Sequence, residues 1–351
     1  MSDLAVTVEG SRPAASALAA TPVFLGYRIG TNPPSGFDYD FIDWPFRAIR
    51  SGDLTFGQAR ERMRTACEAH RPRIAVAPDI TDDVSASDAY TVADELLAHA
   101  SDVVVTPKQE VTPEDVPDRF RVGLPTQQSW GTAPYSITEY ARLRDVHVLG
   151  GSPNAQLDRL NYVPGASSFD SASIIRQSFR GGQIWAGDKW LDWPFDGAYA
   201  RITISARLYA HQLGMRQLGG SKLLGGLFSG ETTTTPELIE AAYPTMDDVR
   251  ETVRAVNPDF RTETVTRDSL LVTAPSSATD GDPADGLTTL LGEDYTLDVE
   301  ATRGATAIRI EGVRRPPSIE TIGNKLDAAL RARRADADDP AQSSLDGFGS
   351  K

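Results

Sequence analysis

Three aspartates directly follow apolar stretches of the sequence, where β-strands are expected to end. Asp43 follows YDFI, Asp79 follows IAVAP and Asp170 follows SSF. Because parallel sheets and barrels bind ligands beyond the carboxyl ends of their strands, we expect these three carboxylates to converge at one mouth. One carboxylate can attack or stabilise an oxocarbenium-like carbon while another carries protons, so the pattern favours substitution at a sugar C1 atom. The alternative is structural, since a strand-end Asp can also cap a helix or begin a turn.

The same edge is expected to receive other polar groups. Lys108 follows VVVTP, and Gln127 and Gln128 follow RVGLPT. The segment LGGSP at 149–153 carries two glycines and a small hydroxyl residue, which lets backbone amides approach a planar ligand or a phosphate. A tight turn before the helix NAQLDRL is the alternative interpretation of this segment.

The elements that would position these groups alternate between strands and helices. The helical spacing of apolar residues is clear in the segments 54–70, 87–100 and 136–144. Short β-rich runs recur around them, at 22–30, 39–44, 73–78, 102–107, 119–125 and 145–151. Continuous apolar runs such as IAVA and VVV are typical of buried parallel strands covered by helices on both faces. The pattern predicts an α/β fold.

Two further segments, 166–171 and 183–190, complete a count of eight strands. We therefore predict a (β/α)8 TIM-like barrel over residues 21–235, with an open doubly wound sheet as the alternative. Residues 1–20 are rich in Ala and Ser and are expected to form a flexible leader. Residues 236–335 are predicted to form a small α+β accessory domain, which could support a homodimer. Residues 336–351 are expected to be a disordered acidic tail.

The charge composition is unusual. The chain contains 33 Asp and 30 Arg but 5 Lys, and its formal net charge is −14. An Asp-rich, Lys-poor surface remains hydrated in concentrated salt, where the Debye length falls to about 3 Å at 1 M. We therefore expect a halophilic protein from an archaeon or an archaeal virus. Such salt also weakens the argument that an acidic protein does not bind nucleic acid.

Cysteine and histidine usage limits the chemistry further. One cysteine excludes an intrachain disulfide, and the four scattered histidines show no spacing typical of metal ligands. We expect no metal and no cofactor. The apolar runs are too short to span a membrane and no signal peptide is evident, so a cytoplasmic protein is expected.

The stretch VHVLGGSP and the later stretch FDSASIIRQSFRGGQIW together resemble the tRNA-guanine transglycosylase superfamily. In that family a Gly-rich turn precedes an F-D segment and an Arg- and Gly-containing loop. The resemblance implies that Asp170 is a nucleophile. It implies that Gly150, Gly151 and Ser152 line a pocket for the base.

The resemblance preserves the order of motifs over residues 22–195. It implies that Asp79 and either Gln127 or Gln128 contact the base, and that Asp43 is a general acid or base. Trp-Pro follows Asp43 where the family has Ser-Gly-Gly or Ser-Gly-Ala, and the zinc site of the tRNA enzymes is absent. The chain is therefore more similar to the short, zinc-free relatives from phages and their hosts, which are associated with inserting 7-deazaguanines into DNA.

The implied reaction exchanges guanine for a free 7-deazaguanine base through a glycosyl-aspartate intermediate. The implied partner is DNA, or less favourably tRNA, and a duplex would need its target base flipped out. Arg176, Arg180 and Lys189 are the nearest basic residues after Asp170 and suit contacts to phosphate. Two rivals stay open: a barrel that binds nucleic acid without catalysis, and a hydrolase or lyase that uses the same carboxylates on nucleosides or sugars.

Overall fold

Eight parallel strands hydrogen-bond in sequence order and close into a barrel. They are β1 (Asp3–Thr7), β2 (Phe24–Arg28), β3 (Phe41–Asp43), β4 (Ile74–Val76), β5 (Asp102–Val105), β6 (Arg121–Pro125), β7 (Val146–Leu149) and β8 (Ala166–Ser171). The computed structural model describes residues 3–8, 10–126, 135–187, 189–193, 197–217, 239, 241–256, 259–266, 269–275, 287, 291, 295–302, 305–311, 320–321 and 324. The predicted (β/α)8 TIM-like barrel is confirmed.

Helices cover the outside of this barrel. They are α1 (Arg12–Ala19), α2 (Phe46–Arg50), α3 (Phe56–His70), α4 (Ala86–Leu97), α5 (Ile137–Tyr140), α6 (Pro153–Tyr162) and α7 (Ala198–Gln217). Their starts follow from local sequence: Thr55 and Gln58 form a capping box for α3, and Ser85 accepts a backbone N–H at the start of α4. Strands such as β5 are apolar along their length because both faces are covered.

The predicted flexible leader over residues 1–20 is wrong. Residues Asp3–Thr7 form β1, and Arg12–Ala19 form α1, which packs against α7. Leu4 and Val6 are fully buried, as are Ala14, Ala15 and Ala17 of α1. The abundance of alanine was interpreted as looseness, but small side chains allow a helix to approach its neighbours closely.

This correction moves the barrel boundary and changes its eighth strand. The segment 183–190 does not enter the barrel: β9 (Gln183–Trp185) and β10 (Trp190–Asp192) form a separate antiparallel pair. The barrel instead closes between β1 and β8, where Ala5 lies opposite Asp170. Because β1 supplies the missing strand, the barrel begins at residue 3 rather than residue 21.

A four-stranded antiparallel sheet lies in the C-terminal part of the chain. Its strands are β11 (Arg261–Thr266), β12 (Ser269–Pro275), β13 (Thr296–Thr302) and β14 (Ala305–Glu311), in the order β11-β12-β14-β13. Helix α8 (Met246–Val256) packs against β11 and β12 and also against α1. The expected acidic tail at 336–351 lies outside the described residues. Among the helices described, none has the length and apolar character needed to cross a membrane.

The burial of β1 has a measurable consequence. Leu4→Ala should lower the free energy of unfolding by about 2–5 kcal/mol, because it leaves a cavity in the barrel wall. The control Val299→Ala, at an exposed position of β13, should change it by less than about 0.5 kcal/mol. Denaturant unfolding measures both values. Equal, negligible effects would mean that residues 3–7 are dispensable, as a leader would be.

Candidate functional site

The mouth of the barrel holds the three strand-end aspartates. Asp43 is the last residue of β3, Asp79 lies just beyond β4, and Asp170 lies near the end of β8. Each has less than a tenth of its surface exposed. Asp170 and Asp79 both act electrostatically on Asp43. The structure therefore brings together the three carboxylates singled out in the sequence.

The surroundings of the Asp43 carboxyl group raise its affinity for a proton. Burial raises the pKa of Asp43 to about 6, and the negative charges of Asp170 and Asp79 act in the same direction. Arg28, the last residue of β2, opposes this effect by donating from Nε to Asp43 Oδ2 at 2.8 Å. A carboxyl group with a pKa near neutrality can serve as a general acid and, once ionised, as a general base.

Asp170 is held at one of its two oxygens. The backbone N–H of Gly150 donates to Oδ1 at 2.8 Å, and His147 Nε2 lies 3.2 Å from the same atom. No described residue hydrogen-bonds Oδ2 of Asp170. The carboxylate is therefore oriented through one oxygen, while the other remains available to a reacting atom.

The Gly-rich turn after β7 supplies one of these donors. Gly150 and Gly151 both have positive φ, at 59° and 90°. A Cβ on Gly151 would lie 2.1 Å from Thr126 Oγ1, so this position admits only glycine without rearrangement. Buried Gln156 donates to the carbonyls of Gly150 at 2.7 Å and Asp170 at 2.5 Å. One amide thus holds the turn against β8.

Ser152 caps the helix that follows the Gly-rich turn. It is exposed, and its hydroxyl accepts from the backbone N–H of Ala155 as the N-cap of α6. A tight turn therefore does precede a helix in this segment, as the turn interpretation expects. That Gly150, Gly151 and Ser152 line a pocket for a base stays a prediction.

Asp79 forms an ion pair with Lys108, whose Nζ lies 2.6 Å from Oδ2. Burial raises the pKa of Asp79, and the charge of Lys108 opposes that change. Backbone bonds from Ile80 to Thr106 and from Lys108 to Ile80, each 3.0 Å, join the two loops that carry the pair. The pair is thus held by the backbone on both sides.

Of the other sequence-predicted residues, two follow β8 at the mouth end of the barrel, one lies between β9 and β10, and two lie outside the described chain. Arg176 and Arg180 are exposed on a π-helix (Ile175–Arg180) that follows β8 closely. Lys189 is half-buried in the turn between β9 and β10. Gln127 and Gln128 lie outside the described residues. The contacts of the three basic residues with phosphate stay predictions.

The Trp-Pro sequence after Asp43 places Trp44 on the helix side of β3. Trp44 is buried, and its ring lies 5.6 Å from that of Phe56 at the start of α3. It therefore packs on the helix side of β3, whereas Asp43 faces Arg28. Trp185 is also buried, and it donates from Nε1 to Gln212 Oε1 of α7 at 2.9 Å.

Sequence reasoning missed two residues that contact the carboxylates. Arg28 ends β2, and the rule that strand ends face the mouth could have found it. His147 sits inside β7 in the run Val-His-Val-Leu, where a polar side chain between valines points into the barrel. Within the described ranges no group of three or more His, Cys, Asp or Glu side chains is placed to hold a metal.

Comparison with known proteins places this mouth within a protein family. A family model described as a family of unknown function, DUF6610, matches residues 27–209. The chain belongs to this family. The DUF6610 range contains Arg28, Asp43, Asp79, His147 and Asp170, and so includes every side chain that forms the mouth described above.

Functionally curated proteins give no match. One of the matching solved structures is a dihydrodipicolinate synthase from Agrobacterium tumefaciens str. C58, 12% identical in sequence. The match covers 73% of this chain and 98% of that chain, with a TM-score of 0.31.

The raised pKa of Asp43 predicts a pH-dependent stability. Well below pH 4 the Asp43 carboxyl is protonated in both the folded and the unfolded state. Between pH 4 and 6 it ionises in the unfolded chain before it ionises in the folded one. The free energy of unfolding therefore falls as pH rises through this range. Asp43→Asn is neutral throughout. Its stability relative to wild type should therefore increase from pH 4 to pH 7 by on the order of 2–3 kcal/mol.

Urea unfolding at constant salt and several pH values measures this difference. Asp83→Asn, a change at an exposed aspartate of the loop after β4, is the matched control and should show a smaller dependence. A stability difference between Asp43→Asn and wild type that stays constant across this range would show that burial does not perturb Asp43.

Proposed function

We propose that the protein is a base-exchanging transglycosylase that replaces guanine with a 7-deazaguanine base in DNA, tRNA being the less favoured polymer. The observation that carries the proposal is the mouth geometry: Asp170 is fixed through Oδ1 with Oδ2 unbonded by described residues, beside Asp43 with a pKa of about 6. The choice of guanine and 7-deazaguanine rests on the motif resemblance to the transglycosylase superfamily.

The first half-reaction uses both carboxyl groups. Asp170 Oδ2 attacks C1′, a C–O bond forms, and the C1′–N bond to guanine breaks with its electron pair leaving on the base. Asp43, protonated, gives its proton to the departing base. The product is a glycosyl ester of Asp170 and a free neutral guanine, with Asp43 now ionised beside Arg28.

The second half-reaction reverses the roles. The incoming base loses a ring N–H proton to Asp43 and attacks C1′, while the C1′–Oδ2 bond breaks and returns its electron pair to the Asp170 carboxylate. Asp43 thus ends protonated, ready for another cycle. A group with a pKa near the working pH is suited to both transfers, since neither protonation state is strongly disfavoured.

The mouth end of the barrel just after β8, here called the rim, carries basic groups suited to a polymeric substrate. Arg176 and Arg180 lie exposed within ten residues of Asp170, on the helix that continues from β8. Guanidinium groups bind phosphate oxygens in a planar, bidentate geometry, and Arg is far more abundant than Lys in this chain. A base flipped from the stack would present C1′ to the mouth while its phosphates remain at this rim.

Incorporation of labelled guanine into duplex DNA, and separately into tRNA, tests the proposal in molar KCl. Wild type should incorporate label into DNA, and Asp170→Asn should reduce the rate more than about 10³-fold, as loss of a nucleophile does elsewhere. Asp83→Asn should match wild type. Full activity of Asp170→Asn would contradict the assigned nucleophile.

Two other results would overturn the exchange reaction. Release of free guanine or sugar without incorporation of any base would indicate the hydrolase alternative. Absence of both release and incorporation, with guanine and with 7-deazaguanine bases and from folded protein, would favour the barrel that binds nucleic acid without catalysis.

Asp79 is proposed to read the hydrogen-bonding edge of the purine. Lys108 contacts one of its oxygens, and a carboxylate accepts N–H groups that a neutral amide accepts less well. Asp79→Asn should therefore reduce the preference for guanine over hypoxanthine, which lacks the 2-amino group, by about tenfold or more. Competition between the two labelled bases measures the ratio. An unchanged ratio would exclude Asp79 from base selection.

A further inference from the structure

A line of hydrogen bonds crosses the barrel interior and ends at Asp170. Arg121, the first residue of β6, donates from Nη1 to Ser168 Oγ at 2.5 Å. Ser168 Oγ lies 2.8 Å from His147 Nδ1, and His147 Nε2 lies 3.2 Å from Asp170 Oδ1. Arg121 is also paired with Asp102 at the start of β5, at 2.7 Å. The line thus joins the amino-terminal end of the barrel to its mouth.

The groups at the two ends constrain the bonds between them. A guanidinium only donates, so Ser168 Oγ accepts from Arg121 and its hydroxyl hydrogen is free to go to His147 Nδ1. An ionised carboxylate only accepts, so His147 Nε2 must carry the hydrogen shared with Asp170. A neutral imidazole protonated on Nε2 satisfies all of these partners. The bonds at Nδ1 and Nε2 together favour the tautomer that donates to Asp170.

Packing fixes the plane of the same ring. His147 is fully buried and stacks on Phe41 of β3, with ring centroids 5.5 Å apart and planes 16° apart. Ser168 is also fully buried. A donor held this way keeps its direction without reorganisation during a reaction, which is the condition under which hydrogen bonds to developing charge are most effective.

We propose that His147, locked by Ser168 and Arg121, is a positioning residue that holds Asp170 through Oδ1 and promotes departure of the Asp170 carboxylate from C1′. This inference rests on the proposed function. In the glycosyl ester, Oδ1 is the carbonyl oxygen and keeps its two N–H donors, from His147 and Gly150. When the C1′–Oδ2 bond breaks, the carboxylate gains negative charge that these donors stabilise.

The two half-reactions respond differently to this donor. In the first, the attacking carboxylate loses charge, so a hydrogen bond to Oδ1 stabilises the starting state and gives the attack no electrostatic advantage. In the second, the carboxylate gains charge, and the same bond lowers the barrier. Loss of the His147 donor should therefore slow resolution of the ester more than its formation, and the covalent species should accumulate.

The first test needs no substrate. Ring ¹⁵N and ¹H NMR of the full chain, with the signals of His147 and His211 assigned by His147→Leu and His211→Leu, reports the protonated nitrogen of these imidazoles. We expect His147 to be neutral with its hydrogen on Nε2, and Ser168→Ala to introduce the Nδ1-protonated form. A wild-type His147 protonated on Nδ1, or on both nitrogens, would overturn the inference whatever the activity.

The second test separates formation of the covalent species from its resolution. Labelled DNA is mixed with the protein, quenched in denaturant and analysed for protein-linked label, before and after addition of free base. His147→Leu should slow resolution by about 10–100-fold and raise the linked fraction. His147→Gln, which retains an N–H near the position of Nε2, should recover most of the rate. The exposed His211→Leu on α7 is the control.

The variants also guard against a folding defect. Ser168→Ala keeps the imidazole but removes the hydrogen bond to His147 Nδ1. It should therefore raise the protein-linked label less than His147→Leu does. Equal slowing of formation and resolution in both His147 variants would indicate a structural role and overturn the inference. If wild type forms no linked species with DNA or tRNA, the proposed function fails instead, and the tautomer measurement alone then decides whether His147 is held as described.

Discussion

Closure of the barrel between its first and last strands is the constraint on which the site depends. The pairing of β1 with β8 aligns Leu4 with Phe169 and Ala5 with Asp170. Without this pairing, β8 would be an edge strand, and edges of parallel sheets lack half of their backbone hydrogen bonds. The strand that carries both Asp170 and Ser168 is thus held on one side by β7, which carries His147, and on the other by β1. Strand β1, which has five residues, therefore stabilises the position of the Asp170 carboxylate by pairing with the strand that carries it.

Burial of the carboxylates has an energetic cost that only part of the site offsets. Asp79 and Asp43 each have a raised pKa, although Lys108 and Arg28 lie against them. A structure selected for stability alone would remove such groups or pair them fully. Their retention at one end of the barrel, with charges that act on each other, is the arrangement in which enzymes place groups for proton transfer. The cost in stability and the capacity for chemistry thus have the same physical origin, which is the removal of the carboxylates from water.

The barrel could be predicted from sequence because its strands and helices alternate with distinct periods, and the strand-end rule brought together Asp43, Asp79 and Asp170. The first strand could not be predicted, because DLAVT is short. The helix that follows it consists largely of small residues, and their packing depends on helices that are distant in sequence. Arg28, the last residue of β2, could have been found by the strand-end rule, but His147 was missed for a related reason. Which side of a strand faces the barrel interior depends on register, and the partner of a polar side chain lies on another strand.

The acidic, arginine-rich composition acts differently on the surface and in the mouth. At 1 M salt the Debye length is about 3 Å, so exposed pairs such as Arg64 with Glu61 on α3 are strongly screened. The pairs Arg28–Asp43 and Lys108–Asp79 have their carboxylates almost fully buried, and ions of the solvent cannot enter between them. Buried pairs are screened much less. The electrostatics that set the proton affinity of Asp43 are therefore less sensitive to salt than those of the exposed pairs.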